Sequence, residues 1–390
     1  MQKTIITNAK LFGHQGLQQI LIDEQGIIQN IINAAHSIDH LENYKIHDAQ
    51  GNLVSLGGLD LQINGGLGLS FTDIDKSQIS KLQEICDFFW KQGINSFLPT
   101  IVTTSSENIQ KSLSTIKHFI EIQNKQNKQN KQTAQILGVH LEGPFLNHQK
   151  KGAHPFNYLL EPSIDFVKKI LGDYQDIVKI VTLAPELDKT KKVIPYLLSK
   201  EIIVSLGHSQ ANSEEAKIAF AMGASMVTHA YNAMPSLHHR QPGLLGEAIV
   251  NENVSCGLIA DGQHVCTTMI DLLLRSSLYD KGIFLVSDAL APIGLGDGVY
   301  PWDDRKIEVK RGTARLLDKT LAGTTLPLLV GVQNLVNWKI CSPEIAIALA
   351  TESPRRAINL PGISVGQTAS LIQWRWDHLN NQLNWQRLEI

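Results

Sequence analysis

Two histidines near the middle of the chain, His208 and His229, each follow a short apolar run, Ile202–Leu206 and Ser225–Thr228. The residues between these runs, Asn212–Met222, have a helical pattern, so the segment is predicted to be a strand–helix–strand unit with an imidazole after each strand. In parallel α/β folds this end of the strands binds ligands and metals. A single histidine most often has a structural or surface role. The alternative to a metal site is therefore that both residues are core histidines with satisfied hydrogen bonds. Two histidines at equivalent positions of successive units favour a metal site.

Further polar or ionisable side chains follow other predicted strands: Gln62, Asn64, Glu142, Asp261, His264 and Asp288. One carboxylate and two imidazoles match the three protein ligands of a catalytic zinc site, which keeps an open position for water. Asp288 would then be free to act on that water as a base. Each acidic residue taken alone could equally be a helix N-cap or a loop charge. Placing several charged side chains together at one end of the fold nevertheless costs free energy, and a purely structural role does not explain that cost.

The elements that position these residues alternate between strand and helix. Eight apolar, β-rich runs are found: Leu59–Ile63, Asn95–Leu98, Ile136–Leu141, Val178–Leu183, Ile202–Leu206, Ser225–Thr228, Val254–Ala260 and Ile283–Ser287. Helical patterns lie between most of them: Ser77–Gln92, Ser106–Gln123, Ile164–Leu171, Thr190–Leu198, Asn212–Met222 (with Asn212 or Ser213 as N-cap) and Thr267–Ser277. Eight such units over about 250 residues predict an α/β fold, a closed (β/α)8 TIM-like barrel. An open doubly wound sheet is the alternative, weakened by the lack of GxGxxG after the first strand.

The two ends of the chain have a different pattern. Residues 3–56 contain short β-type runs separated by turn residues, and the tail contains two more, Ala369–Trp376 and Gln382–Leu388. We expect a small antiparallel β unit at the N-terminus that pairs with the tail in one β-sandwich, since neither part alone is large enough to be stable. The predicted domains are 1–56 plus 360–390 and the barrel, 57–359. The polar repeat Asn124–Gln132 is predicted to be a surface loop.

Composition excludes several classes of protein. The 390 residues carry a formal net charge of −2, which gives no indication of nucleic-acid or membrane-surface binding. Hydrophobic residues make up 43%, enough for a large core, and no apolar run is long enough to span a membrane. Four widely spaced cysteines without a CxxC pair indicate reduced thiols, and the N-terminus has no signal-peptide pattern. These features predict a cytoplasmic protein.

Six motifs between about Gly57 and Ala357 carry a family resemblance: HLEGPFLN, SLGHS, THAYNAMPSLHHRQPGLLG, IADGQHV, VSDALAPIG and LAGTTLPL. In this order they resemble the successive motifs of the N-acetylglucosamine-6-phosphate deacetylases, a family of the metal-dependent amidohydrolase superfamily. The resemblance implies a distorted barrel with a small β-sandwich built from both termini, and a homodimer. It also implies hydrolysis of a sugar phosphate to acetate and glucosamine 6-phosphate.

The resemblance assigns roles position by position. Glu142, His208 and His229 resemble the metal ligands, and Asp288 resembles the catalytic acid/base. The expected sugar-phosphate contacts are Ala153, His154, Asn232, Ala233, Arg240, Asp261, Gly262, Gln263, His264, Leu321, Ala322 and Gly323. Many amidohydrolases carry His-x-His after the first strand for a second metal, whereas this chain has Gln62-Ile63-Asn64. One divalent ion per chain is therefore expected: zinc, with iron or another divalent ion as the alternative.

The sequence is compatible with three functions. The first is the amino-sugar phosphate deacetylase, with Arg240 and His264 as phosphate contacts and His154 as a donor to the oxyanion. The second is an amidohydrolase for another amide, which would not need a phosphate site. The third is a sugar-phosphate-binding regulator on an inactive barrel, which would not need Asp288. Thr324, where serine is expected, and the pair His238–His239 before Arg240 depart from the family pattern.

Overall fold

The computed structural model describes residues 2–36, 43–126 and 132–390. The chain begins with a four-stranded sheet of β1 (Thr4–Ala9), β2 (Gln18–Ile22), β3 (Ile28–Asn33) and β4 (Lys45–Asp48), in the order β3-β2-β1-β4. The β1–β2 and β2–β3 pairs are antiparallel, but β4 lies parallel to β1. The prediction of a wholly antiparallel unit is therefore wrong. After β3 the chain returns to the far edge of the sheet and enters β4 in the direction of β1.

The centre of the molecule is a ring of parallel strands. The strands that follow β4 are β5 (Leu53–Leu56), β6 (Gly58–Ile63), β7 (Gly65–Gly66), β8 (Leu69–Ser70), β9 (Ile94–Val102), β10 (Gln135–Ile136), β11 (Val139–Glu142), β12 (Val178–Leu183), β13 (Ile203–Leu206), β14 (Met226–Val227), β15 (Ser255–Leu258) and β16 (Ile283–Leu285). The order around the ring is β6-β9-β11-β12-β13-β14-β15-β16, all parallel. All eight predicted barrel runs lie on these strands, although the third is split into β10 and β11.

The first strand meets the segment after the last, which closes the barrel. Ile63 forms a parallel bridge with Ala289. The Asp288 N–H donates to the Gln62 carbonyl at 2.9 Å, and the Asn64 N–H donates to the Ala289 carbonyl at 2.8 Å. The fold is thus the predicted (β/α)8 TIM-like barrel, and the open doubly wound alternative is wrong.

Helices pack around the outside of this ring. They are α1 (Ile79–Lys91), α2 (Ser106–Gln126), α3 (Ile164–Leu171), α4 (Val193–Leu198), α5 (Ser213–Ala221), α6 (Gly243–Ile249), α7 (Thr267–Ser276), α8 (Leu328–Asn337) and α9 (Pro343–Ala357). In the part of the chain that the structure describes, no helix has both the length and the apolar character needed to cross a membrane. The loop predicted at Asn124–Gln132 starts later than expected because α2 continues to Gln126. Residues 127–131 of that prediction lie outside the described residues.

A second antiparallel sheet interrupts the chain between the last barrel strand and α8. It consists of β17 (Gly298–Trp302), β18 (Arg305–Lys310), β19 (Thr313–Leu316) and β20 (Leu321–Thr324). Its buried side chains pack with Ala153 and Leu290 in a small separate core. This sheet was not predicted from the sequence.

The chain ends with β21 (Leu371–Asp377) and β22 (Gln382–Arg387), which join β5 in a sheet of order β22-β21-β5. One buried cluster combines side chains of this sheet with side chains of the N-terminal sheet, including Ile6, Ile20, Val54 and Leu371. The two ends of the chain therefore come together in a small β unit of two sheets, as predicted.

Candidate active site

The three expected metal ligands lie at the carboxyl ends of barrel strands. Glu142 is the last residue of β11, while His208 and His229 each stand two residues beyond β13 and β14. All three are buried. Both histidines have positive φ angles, +47° for His208 and +27° for His229. This backbone conformation is uncommon for a residue with a side chain, and in native proteins it concentrates at functional sites.

The ligand atoms of these residues converge. Glu142 Oε1 lies 3.2 Å from His229 Nε2 and 3.4 Å from His208 Nε2. The two Nε2 atoms are 3.0 Å apart, and all three ligand atoms fall within 4.8 Å of one another. The histidine pair predicted from sequence and the carboxylate at the end of β11 are thus brought together.

Hydrogen bonds to these side chains orient their ligand atoms so that the cluster can bind a cation. The Lys150 carbonyl can only accept, so His208 Nδ1–H donates to it at 2.8 Å and leaves the Nε2 lone pair free. Gln62 Nε2–H donates to Glu142 Oε1 at 2.9 Å, which holds the carboxylate. Lone pairs packed this closely repel one another unless a proton or a metal lies between them. One carboxylate and two imidazoles therefore fit a divalent metal ion.

The charges of Glu142 and His229 depend on each other. Burial opposes charge on both groups, but their 3.2 Å contact outweighs it. The pKa of Glu142 consequently lies well below its ordinary value, with His208 contributing, and the pKa of His229 is raised. The carboxylate is thus held in the ionised form that a metal ligand requires.

Asp288 stands near the ligands, three residues beyond β16 and with a φ of +47°. Its Oδ1 accepts hydrogen bonds from Asn64 Nδ2 at 2.7 Å and from Gln62 Nε2 at 3.3 Å. Burial and the nearby Glu142 carboxylate raise the pKa of Asp288 to about 7. A carboxyl group with this pKa can both accept and release a proton near neutral pH.

These residues open into one cavity of about 380 Å³. Besides the ligands and Asp288, the predicted residues that line it are Ala153, His154, Asn232, Ala233, His264, Leu321 and Ala322. Asp261 supports the cavity from behind, because its carboxylate accepts His264 Nδ1–H at 2.7 Å. Gly262, Gln263 and Gly323 are not in the lining. Arg240 does not line the cavity either: it is exposed, with Nη1 2.8 Å from Nε2 of His239.

The imidazole of His154 is buried against the metal cluster. Its Nε2 lies 3.8 Å from Glu142 Oε2, and its Nδ1 lies 2.9 Å from the Thr103 hydroxyl. Burial and the neighbouring His208 lower the pKa of His154 to about 3, so the ring is neutral at physiological pH. The Thr103 hydroxyl has two acceptors within reach, His154 Nδ1 at 2.9 Å and the Glu142 carbonyl at 3.4 Å. When it donates to the nearer one, Nδ1, Nε2 of His154 carries the proton and becomes a hydrogen-bond donor at the cluster.

Several lining residues were not predicted from the sequence, among them Lys150, Tyr158, Trp302 and Arg305. Arg305 follows the turn between β17 and β18, and its guanidinium donates to Asp303 and, at 2.9 Å, to the Ala153 carbonyl. It enters the cavity wall through a sheet that was not predicted. Neither its spacing nor its neighbours in sequence distinguish it from a surface arginine.

Comparison with known proteins identifies relatives over most of the chain, although no protein-family model matches it. The N-acetylglucosamine-6-phosphate deacetylase of Rattus norvegicus is 35% identical over 321 residues, which cover 80% of this chain and 76% of the relative. The N-acetylgalactosamine-6-phosphate deacetylase of Escherichia coli O157:H7 is 31% identical over 323 residues, covering 80% and 81%. The crystal structure of the Pasteurella multocida N-acetylglucosamine-6-phosphate deacetylase superposes with a TM-score of 0.84 at 28% identity, covering 99% of this chain and all of that one.

Three observations indicate the same family: the resemblance of the motifs, the closed barrel and these relatives. The ligand-like cluster at the barrel mouth also fits the metal-dependent chemistry of the amidohydrolase superfamily. The chain is a hydrolase, and it belongs to the N-acetylglucosamine-6-phosphate deacetylase family.

Proposed function

We propose that the chain hydrolyses the acetamide of N-acetyl-D-glucosamine 6-phosphate to acetate and D-glucosamine 6-phosphate, using one metal ion and Asp288. The observation that carries the proposal is the convergence of Glu142, His208 and His229 on the wall of one cavity that Asp288 also lines. A regulator on an inactive barrel would have no need for an acid/base with a pKa near 7. The family relatives support the substrate.

Glu142, His208 and His229 would hold the ion, which when bound supplies a Lewis acid for the acetamide carbonyl and for water. Asp288 accepts the proton of the attacking water and later gives it to the leaving amine. Gln62 and Asn64 both donate to Oδ1 of Asp288, so Oδ2 is the oxygen that exchanges this proton. His154 Nε2–H would donate to the developing oxyanion.

The ion we propose is zinc, because one carboxylate and two imidazoles form a common catalytic zinc set. Iron is the alternative, since imidazole and carboxylate also suit it. Gln62 and Asn64 occupy the positions where a second metal would need ligands, and both donate hydrogen bonds to carboxylates. A single ion per chain follows from that arrangement.

Recognition of the sugar phosphate is proposed for the other predicted contacts. His264, held by Asp261, and the backbone around Asn232 and Ala233 lie on the cavity wall. Ala153, His154, Leu321 and Ala322 line it as well. Gly262 and Gln263 directly precede the lining residue His264, and Gly323 follows Ala322 in β20. Arg240 is proposed as a phosphate contact from outside this cavity, supplied by a second copy of the chain.

N-Acetylgalactosamine 6-phosphate is a second candidate substrate, favoured by the relative that carries that activity in its name. The test is acetate release by one purified preparation from both phosphorylated sugars and from their unphosphorylated forms, with metal analysis of the same sample. We expect release from a phosphorylated sugar and little from its unphosphorylated form. A fully metallated protein that releases no acetate from either phosphorylated sugar would contradict the proposal.

We further propose a cytoplasmic homodimer with domains 1–56 plus 360–390 and 57–359. The shared core of the two terminal sheets supports the division into domains. The cysteines support the compartment, since all four, Cys86, Cys256, Cys266 and Cys341, are free thiols. Neither nucleic acid nor membrane is proposed as a partner.

A further inference from the structure

Directly below the metal ligands, the barrel interior contains a continuous chain of polar side chains. His140 Nδ1 lies 3.0 Å from the Leu61 carbonyl, and His140 Nε2 lies 2.7 Å from the Thr182 hydroxyl. The Thr182 hydroxyl lies 2.7 Å from that of Thr228, which lies 2.6 Å from that of Ser205. All five residues are buried. Leu61, His140, Thr182 and Ser205 lie on β6, β11, β12 and β13, and Thr228 directly follows β14.

The direction of every hydrogen bond in this chain can be deduced. A carbonyl only accepts, so His140 Nδ1–H donates to Leu61. The ring is 3% exposed and both its partners are uncharged, which favours the neutral imidazole, and Nε2 must then accept from Thr182. Each hydroxyl has one proton, so Thr182 accepts from Thr228, and Thr228 accepts from Ser205. The donors run in one direction, from Ser205 to the Leu61 carbonyl.

The chain occupies a distinct level of the barrel. Side chains two residues apart on a strand share a face, so Ile180 and Met226 lie one level below Thr182 and Thr228, in an apolar cluster. By the same rule Glu142 lies one level above His140. His229 directly follows Thr228 in the sequence. The polar level is therefore the last layer of the barrel before the metal ligands.

We propose that this chain is a positioning device for the metal centre, with Thr182 and Thr228 as its positioning residues. By fixing β11, β13 and β14 at one level, it holds Glu142, His208 and His229 at the separation that one ion requires. The inference rests on the proposed metal site. It adds to that site a supporting layer of hydrogen-bonded side chains below the ligands.

The test replaces single hydroxyls by methyl groups of similar shape, in Thr182→Val and Thr228→Val. Metal affinity is measured on metal-free protein by competition with a chromophoric chelator. We expect each variant to bind the ion up to about 10-fold more weakly, which is the lower end of the loss seen when a group bonded directly to a ligand is removed. Thr182→Ser and Thr228→Ser keep the hydroxyls and should restore most of the affinity.

Thr115→Val is the matched control, because Thr115 is equally buried and its hydroxyl donates to the Lys111 carbonyl within α2, away from the site. It should leave metal affinity unchanged whatever its effect on stability. Wild-type affinity in both valine variants, or an equal loss in the control, would overturn the inference. Such results would leave the proposed function intact, since that depends on metal binding and acetate release by the wild type.

The direction of the chain has a spectroscopic test that is read on the wild-type protein. Nitrogen-15 spectra of histidine-labelled wild type should show His140 as the Nδ1–H tautomer, assigned by the signal lost in His140→Gln. In Thr182→Ser this tautomer should persist. A wild-type Nε2–H tautomer would overturn the deduced direction and with it the inference.

Discussion

At the scale of single residues, Asp288 is suited to proton transfer because its surroundings oppose its charge without removing its hydrogen bonds. Burial and Glu142 raise its pKa to about 7, while Asn64 and Gln62 hold Oδ1. Asp288→Asn keeps the shape of the side chain but cannot accept a proton from water. We expect kcat to fall at least ~10²-fold, with bound metal and affinity for a sugar-phosphate analogue near wild type. Kinetics, elemental analysis and calorimetry on one preparation check this.

The three outcomes for Asp288→Asn distinguish three roles. Loss of metal together with activity would make Asp288 mainly a ligand. Loss of stability with normal turnover per folded molecule would make it structural. Retained turnover in a fully metallated variant would contradict the proposed chemistry.

The number of metal ions depends on Gln62 and Asn64. Their amide groups donate hydrogen bonds to Glu142 and Asp288, and neutral amides are weak ligands for transition metals. We predict one tightly bound divalent ion per chain in protein purified without chelator, measured by elemental analysis after dialysis. Its removal should abolish acetate release and lower Tm, because the ion binds only the folded protein. Two equivalents that survive dialysis would disagree with this prediction.

Asp60, on β6, should make the free energy of unfolding depend on pH. It is fully buried, and burial raises its pKa from 3.8 to about 7, although Oδ1 accepts the backbone N–H groups of Gln62 and Ser287. At a pH between 3.8 and about 7, the carboxyl group of Asp60 is ionised in the unfolded chain but still protonated in the folded protein. The contribution of Asp60 to stability is therefore greatest below pH 3.8 and is lost as the pH rises through 7.

Asp60→Asn removes this titration, so the free energy of unfolding should depend less on pH between about 4 and 7. The full difference corresponds to about 4 kcal/mol, since one pH unit is worth about 1.4 kcal/mol. Urea titrations at several pH values measure it, and Asp173→Asn, an exposed aspartate, should keep the wild-type slope. An unchanged slope in Asp60→Asn would show that the charge of Asp60 is compensated in the folded protein.

At the scale of elements, α5 connects the two strands that carry the histidine ligands. Asn212 accepts the Glu215 N–H at 3.0 Å, and the Glu215 carboxylate accepts the Asn212 N–H at 2.9 Å, which is a capping box. Asn212→Ala should lower the free energy of unfolding by about 1 kcal/mol. Metal content should not change, because the cap lies on the outer helix. Asn212→Ser should retain most of the stability, and a loss of metal in Asn212→Ala would instead couple the cap to the ligands.

The elements differ in how well the sequence predicts them. The barrel strands are apolar runs bounded by turn residues, and helices such as α1 place one apolar face, with Leu82, Ile85 and Phe89, on the barrel. Between strands β17 and β20 the side chains are mostly half-exposed, and Pro301 lies within β17. Such a sequence has no strong hydrophobic periodicity from which strands could be predicted. The parallel pairing of β4 with β1 depends on tertiary contacts and has no local signal.

The same distinction holds for the site. Glu142, His208, His229 and Asp288 were predicted because each follows a recognisable barrel strand. The cavity wall formed by Trp302 and Arg305 was not, because it depends on where the unpredicted sheet packs. The hydroxyl chain was also missed, since threonine and serine on a strand do not reveal which neighbour they contact.

At the scale of the whole molecule, the position of Arg240 has consequences for assembly. Arg240 is exposed and does not line the cavity of its own chain. As proposed, Arg240 binds the substrate phosphate in the cavity of a second copy of the chain, in a homodimer. Arg240→Ala should then raise KM for the phosphorylated sugar tenfold or more, since a charge-assisted hydrogen bond is worth roughly 1.5–3 kcal/mol. Activity on the unphosphorylated sugar should change little, whereas equal losses on both would remove Arg240 from the phosphate site.

A mixed assembly tests whether Arg240 acts between subunits. Arg240→Ala and Asp288→Asn chains are each impaired as pure dimers. In a hybrid, the chain with Asp288 intact receives Arg240 from its partner, so one of the two cavities is complete. Random reassociation of equal amounts should restore about a quarter of wild-type activity at low substrate, because half of the dimers are hybrids with one complete site. If Arg240 instead reaches its own cavity after a loop movement, the hybrid contains no complete site, and the mixture will show only the summed activity of the two variants.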